Sequence, residues 1–211
     1  MRANALIFAV GQKGAGKSSL IRRWASAHPR TLWLDAVWEE LEGAAPGTIA
    51  YDLDELEELL RDRARHSHWR LIYAGARADY PAAVQLLQPV QPTAPGYAQA
   101  VGGVTVVCGE ADVLAPNNGR MEESVRDLIH RGRHHRVSLF AAARRPAEVA
   151  RDLSSQADLL VFFQVAEPRD VQWVRARIGD AAADAVAALA GHDYLLYHSD
   201  TRRFEVHAGR S

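Results

Sequence analysis

Eight consecutive residues, Gly11-Gln12-Lys13-Gly14-Ala15-Gly16-Lys17-Ser18, fit the pattern G-x-x-x-x-G-K-[ST] and directly follow the apolar run Ala5 to Val10. The chemistry served by that spacing is the capture of a phosphate chain. Gly11, Gly14 and Gly16 open backbone conformations closed to other residues, so successive N–H groups can converge on phosphate oxygens at a helix N-terminus. Gln12, Ala15 and Ser19 complete the cradle, and Lys13 is expected beside the phosphates. Lys17 is expected to reach the β- and γ-phosphates of ATP, and the Ser18 hydroxyl to ligate the Mg²⁺ that bridges them. Of the 25 basic residues, 23 are Arg, and the only two lysines lie inside this loop. That choice marks Lys17 as functional, because a compact ammonium and a planar guanidinium are not interchangeable at a phosphate.

Hydrolysis of such a ligand requires a carboxylate at the end of a neighbouring strand. The run Val104-Thr105-Val106-Val107-Cys108 ends in Gly109-Glu110. Glu110 is the expected catalytic base. An Asp is usual at the place of Gly109, and Asp112, two residues beyond Glu110, could supply that metal-side carboxylate through water. Asp35 competes with Glu110, since Leu32-Trp33-Leu34-Asp35 is also an apolar run ending in an acid.

Strand and helix signals alternate along the whole chain, and they are what would hold these groups in place. Strands are expected at Ala5 to Val10, Thr31 to Leu34, Trp69 to Ala74, Val101 to Cys108, Val137 to Ala143 and Leu159 to Val165. Helices are expected at Ser18 to Ala27, Leu53 to Arg65, Tyr80 to Leu87, Met121 to His130 and Ala147 to Leu153, with one long helix from Pro168 to Leu189. A hairpin through Ser199-Asp200-Thr201 closes the chain. This order predicts a three-layer α/β fold of the P-loop NTPase (RecA/ASCE-like) kind, with a mostly parallel central sheet. The acidic run Asp54 to Glu58 faces away from the apolar stripe of its helix and reads as solvated surface.

At 211 residues and 48% hydrophobic, the chain suits a single ATPase domain spanning residues 1–211. The formal charge of -1 conceals a basic stretch: Arg126 to Arg145 holds six Arg against one Asp, with three His besides. The single Cys108 excludes an internal disulfide and sits in an apolar run. No apolar run approaches membrane-spanning length, so a cytoplasmic protein is expected. His130 and His134 stand four apart but lack the glutamate of a zinc motif, and Gly132 interrupts the helix; a basic surface is the expected role. Trp24, Trp33, Trp38, Trp69 and Trp173 have no interleaved basic spacing and read as packing residues.

The phosphate loop, the strand ending in Glu110, and the segment Gly132-Arg133-His134 through Val137–Ala143 to Arg144-Arg145-Pro146 occur in an order that resembles the FtsK/HerA superfamily of P-loop motor ATPases. The resemblance covers roughly residues 5 to 165 and is nearest to short phage members of the genome-packaging or Zot type. It implies a homo-oligomeric ring, usually of six subunits, that hydrolyses ATP at subunit interfaces and moves double-stranded DNA. It further implies recruitment to a capsid vertex or membrane docking protein, from the host cytoplasm if the chain is viral. An arginine acting on a neighbour's γ-phosphate is then required; Arg133 is the first candidate and Arg120 a weaker one. Arg144, where the family usually has Gln, would act as a sensor within its own subunit. Gln88 to Gly103 is the expected DNA-facing segment. Two other activities stay open on these residues: a small-molecule kinase with Asp35 orienting the acceptor, and a nucleotide-binding assembly module of slow turnover.

Overall fold

The computed structural model describes residues 4–35, 41, 44–45, 47–91 and 93–209. Its elements follow one another as β1 (Leu6–Val10), α1 (Lys17–Ala25), β2 (Arg30–Leu34), β3 (Ile49–Ala50), α2 (Leu53–Arg63), β4 (Trp69–Tyr73), α3 (Tyr80–Gln85), α4 (Tyr97–Ala100) and β5 (Val104–Cys108). Then come α5 (Ala111–Leu114), α6 (Glu123–Arg131), β6 (Val137–Ala143), α7 (Arg151–Gln156), β7 (Leu159–Phe162), α8 (Pro168–Ile178), α9 (Asp180–Ala187), β8 (Tyr194–His198) and β9 (Arg203–His207). The strands form one nine-stranded sheet in the order β3-β4-β2-β5-β6-β1-β7-β8-β9. All pairings from β3 to β7 are parallel; β8 and β9 add on antiparallel.

Burial on both faces explains why the central strands are nearly all apolar. In β1, Leu6, Phe8 and Val10 enter one core, while Ile7 and Ala9, with Ala5 just before the strand, enter the other. Leu56 and Leu60 of α2, Val125, Leu128 and Ile129 of α6, and Val174 of α8 fill the first. Leu20, Ile21 and Ala25 of α1 fill the second. Helix α2 is capped by Asp52, whose carboxylate accepts from the Glu55 amide at 2.8 Å, and its outer face carries a Glu57–Arg61 pair. The acidic run there is solvated surface, as its periodicity indicates.

The strand order decides where the chemistry sits. β6 is inserted between β1 and β5, so the tip of β6 stands between the phosphate loop after β1 and the acids after β5. The alternating order places all three tips on the same edge, because the strands are parallel.

Three expectations are corrected. The stretch Pro168 to Leu189 is two helices, because Gly179 adopts φ 86 and ψ 171, a conformation that ends α8 and starts α9. β5 begins at Val104 rather than Val101: Gly102 and Gly103 both have positive φ, and Val101 closes the short α4 instead. The helix expected from Ala147 is a short 3-10 turn, Pro146–Glu148, followed by α7. Trp24, Trp33, Trp69 and Trp173 all sit in ring, cation or core contacts, and Trp38 lies outside the described residues.

Phe8 lies at the centre of the sheet with no exposed surface. Phe8→Ala is expected to remove about 3–5 kcal/mol of stability. In urea titrations the midpoint should fall while the slope stays unchanged.

Candidate functional site

The phosphate loop is forced by its glycines. Gly11 has φ 150, and a Cβ there would stand 2.6 Å from the Phe163 Cβ, so no larger residue fits against the end of β7. Gly16 caps α1 with φ 101, a left-handed conformation that turns the chain into the helix. The loop is tied down by the Gln12 amide, which donates to the Gln164 carbonyl at 3.0 Å, and by Ala15 N–H to the Gln12 carbonyl at 3.3 Å. Lys13, Gly14, Lys17 and Ser18 line one cleft of about 720 Å³.

Lys17 is buried, with 8% of its surface exposed. Its ammonium donates to the carbonyls of Gly11 and Gln12, both at 2.7 Å. Burial, and then repulsion from the Arg144 guanidinium, lower its pKa from 10.5 to about 8. The loop thus holds a desolvated cation against two carbonyl dipoles, an arrangement that an anionic phosphate would relieve.

Glu110 faces the same cleft. One carboxylate oxygen, Oε1, accepts from the Arg77 guanidinium at 2.6 Å. The other, Oε2, is shielded and has no hydrogen-bond partner. A carboxylate held in place by a guanidinium beside a phosphate cleft can orient a water molecule and take its proton. Asp112, on the first turn of α5, and Asp35, buried at the end of β2, line the cleft as well. Arg144 and Arg145 reach it from the tip of β6, as the insertion of that strand requires. Gly109 leaves open space where a Cβ would point, so a side chain there is not sterically barred.

No protein-family model and no curated protein matches the sequence. Solved structures do. The genome packaging NTPase B204 from Sulfolobus turreted icosahedral virus 2, in complex with AMPPCP, is similar with a TM-score of 0.78 and 20% identity, over 99% of each chain. B204, the DNA-packaging ATPase from Sulfolobus turreted icosahedral virus, gives a TM-score of 0.73 and 19% identity over 100% of both chains. This chain has a P-loop NTPase fold. The pCW3 conjugation coupling protein TcpA, in its monomer form with ATPγS, shares that fold more distantly, with a TM-score of 0.53 and 14% identity over 93% of this chain and 58% of that one.

Within this P-loop NTPase fold, Arg133 lies apart from its own cleft. It precedes β6 by four residues, on the edge opposite the phosphate loop, roughly 20 Å away along the strands. There it pairs with Asp158 at 3.0 Å, and 59% of its side chain is exposed. Arg120 is exposed in the turn after α5. His130 pairs with Asp152 at 3.5 Å, while His135, not His134, bonds Asp127 at 2.8 Å. Among the described residues no group of three His, Cys, Asp or Glu converges on a metal position. Of Gln88 to Gly103, Gln88 is buried against the Ser124 carbonyl and Gly103 reaches the edge opposite the cleft; Pro92 is outside the described residues. No described helix is long and apolar enough to cross a membrane.

Sequence reasoning missed Arg77 and Arg145 as parts of the cleft. Arg145 was within reach as the residue after Arg144. Arg77 was not, because its approach to Glu110 depends on β4, β2 and β5 lying side by side.

The lowered pKa of Lys17 has a thermodynamic sign. Below about 8 both folded and unfolded chains hold the proton, and the fold bears the full cost of a desolvated ammonium. That cost fades as pH rises from about 8 to 10.5, where only the unfolded chain still binds the proton. Lys17→Met is therefore expected to be more stable than the parent at pH 7, with the advantage shrinking toward pH 10. Denaturant midpoints across that range check it.

Proposed function

We propose that this chain is an ATP hydrolase working as a ring motor of the FtsK/HerA type, which moves or packages double-stranded DNA. The observation that carries the reading is one cleft shared by the phosphate loop, the half-anchored carboxylate of Glu110 and the Arg144 guanidinium at the strand tip between them. Similarity over the full length to a protein described as a genome packaging NTPase supports the DNA-moving part.

In this reading the amides of residues 11–19 and the Lys17 ammonium hold the triphosphate, and the Glu110 carboxylate takes a proton from the attacking water. Arg77 holds Oε1 and so fixes the orientation of that carboxylate. Arg144 reads the terminal phosphate from within the subunit. The donor set fits Mg²⁺, since the Ser18 hydroxyl and the carboxylates of Asp112 and Asp35 are hard oxygen ligands in one cleft. Ser18 would hold the ion directly and Asp112 through water, and the ion would neutralise charge building on the β- and γ-phosphates.

Arg133 can serve only a neighbouring subunit, because its own phosphate loop is on the far edge of the sheet. That makes the homo-oligomer, six subunits in the resembling family, a requirement of catalysis rather than an addition to it. Duplex DNA is the polymer moved, and a vertex or membrane protein is the docking partner to which the ring is recruited from the cytoplasm. A phosphotransferase rests on the place of Asp35 in the same cleft, and dependence of turnover on DNA separates the two.

Duplex DNA is expected to stimulate ATP hydrolysis by the parent. Glu110→Gln should reduce turnover about 10²–10⁴-fold, with nucleotide still bound, and Lys17→Ala should abolish binding. Turnover indifferent to DNA, but yielding a phosphorylated small acceptor and lost in Asp35→Asn, would establish the phosphotransferase instead. Mixing Arg133→Ala with Lys17→Ala subunits should restore part of the activity that each lacks alone; no recovery where the subunits co-assemble would remove Arg133 from the neighbour's site.

A further inference from the structure

Arg70 is an exception within the sheet. On β4, an interior strand between β3 and β2, every other side chain is buried and Arg70 is exposed. It heads a polar row that crosses four strands: Arg70 lies beside Thr31 of β2, Thr31 beside Thr105 of β5, and Thr105 beside Ser138 of β6. All four side chains point to the face covered by α1, because Ile72, Trp33, Val107 and Phe140, two positions on in each strand, belong to the core on that side. Arg30 aside, the other residues of these strands are apolar or aromatic. A row of hydroxyls ending in an exposed guanidinium is where this face of the sheet can meet a polar ligand.

A depression of about 430 Å³ opens over the Arg70 end of the row, past the last turn of α1. Trp33 is its floor, with the Arg70 guanidinium 4.7 Å from the ring centroid and the indole N–H donating to the Thr31 hydroxyl at 3.0 Å. His28 closes one end, its Nδ1 2.8 Å from the Thr105 hydroxyl and its ring edge-on to Phe140. Arg22, Ser26 and His68 complete the rim, and no carboxylate is among the described lining residues. Two segments far apart in the chain supply this chemistry: residues 22–30 and 65–70 together hold five Arg, three His and no Asp or Glu, in a chain of formal charge -1. They are joined where the Trp69 amide donates to the Pro29 carbonyl at 2.8 Å and Arg30 Nε to the His66 carbonyl at 3.2 Å. Positive charge continues past the depression through Arg23, Arg30 and Arg65. A Cβ at Gly102 would stand 3.9 Å from Arg30 Nη1, so the patch reaches the end of the segment Gln88 to Gly103.

We infer that this patch holds the phosphodiester backbone of duplex DNA, with Arg22 and Arg70 on phosphate oxygens at the depression and the flanking arginines on neighbouring phosphates. The inference rests on the DNA-moving reading and names the surface that reading leaves open. Planar guanidinium groups match phosphate oxygens two at a time, and charge that runs on beyond one depression suits a polymer of repeating charge better than a single small anion. Contacts of this kind fix the position of the duplex and read no sequence. α1 then carries the triphosphate at its first turn and the polymer at its last, about 14 Å apart along a nine-residue helix. A tilt of that helix as the phosphates change passes to the DNA without an intervening loop.

Fluorescence anisotropy of a labelled duplex, titrated over a range of monovalent salt, is the test. Arg22→Gln and Arg70→Gln should each lower affinity about five- to tenfold near ~0.1 M salt and reduce the slope of log affinity against log salt by about 0.9, the share of one phosphate contact. Arg22→Lys and Arg70→Lys retain the charge and should retain the slope, and ATP affinity measured without DNA should match the parent in all four variants. Parent-like DNA affinity and slope in both Gln variants would overturn the assignment and leave the DNA motor standing. A parent that binds no duplex would overturn the assignment and the DNA-moving reading together. Equal loss of slope in the Lys variants would make these arginines supports of the fold instead of phosphate ligands. A fall in oligomer mass in the Gln variants, read by light scattering on the same samples, would give the patch to an acidic surface of a neighbouring copy and likewise overturn the assignment.

Discussion

A cation kept out of water with only carbonyl dipoles to face is the constraint around which this molecule is arranged. The Lys17 ammonium donates to Gly11 and Gln12. Holding it there requires a loop closed on itself and a strand end behind it with no room for a side chain at residue 11. The same requirement sets the sheet. Both neighbours of β1 must be parallel to it, so that their ends emerge where the loop does. Burial on both faces then makes the central strands apolar along their whole length.

Charge around the cleft is balanced locally rather than across the molecule. Arg77 offsets Glu110, while Arg145 lies near Glu148 and Glu167. Asp170, buried under this edge, accepts from the Ala147 amide, and desolvation holds its carboxyl above the ordinary range even so. Helix α8 is thereby fastened to the turn that carries the tip of β6. Arg144 stands outside these pairs and close enough to Lys17 to depress its pKa. The position between phosphate loop and acids therefore carries a positive charge that acts on Lys17.

Much of this was legible in the residues themselves. The loop pattern, the apolar runs and the acid after β5 gave most of the sheet's strands and several of the groups that line the cleft, because each signal is local. Spacing also showed α2's solvated face. What escaped depends on through-space neighbours. Gly179 breaks a helix that the Ala-rich periodicity would carry on, since a single glycine is weak punctuation until its backbone angle is known. Ile49–Ala50 is too short to register as a strand and exists only by pairing with β4. The approach of Arg77 to Glu110 is created by strand order, with β4 and β2 lying beside β5, and has no sequence signature.

Cys108 carries the chain's one thiol; it is fully buried, and burial pushes its pKa up to about 12. At neutral pH it is neither nucleophilic nor within reach of a reagent. The protein is in effect a cysteine-free background as it stands. A fluorophore or spin label attached through a new cysteine at a chosen surface position will report that position alone, without first deleting a residue from the strand that ends at the cleft.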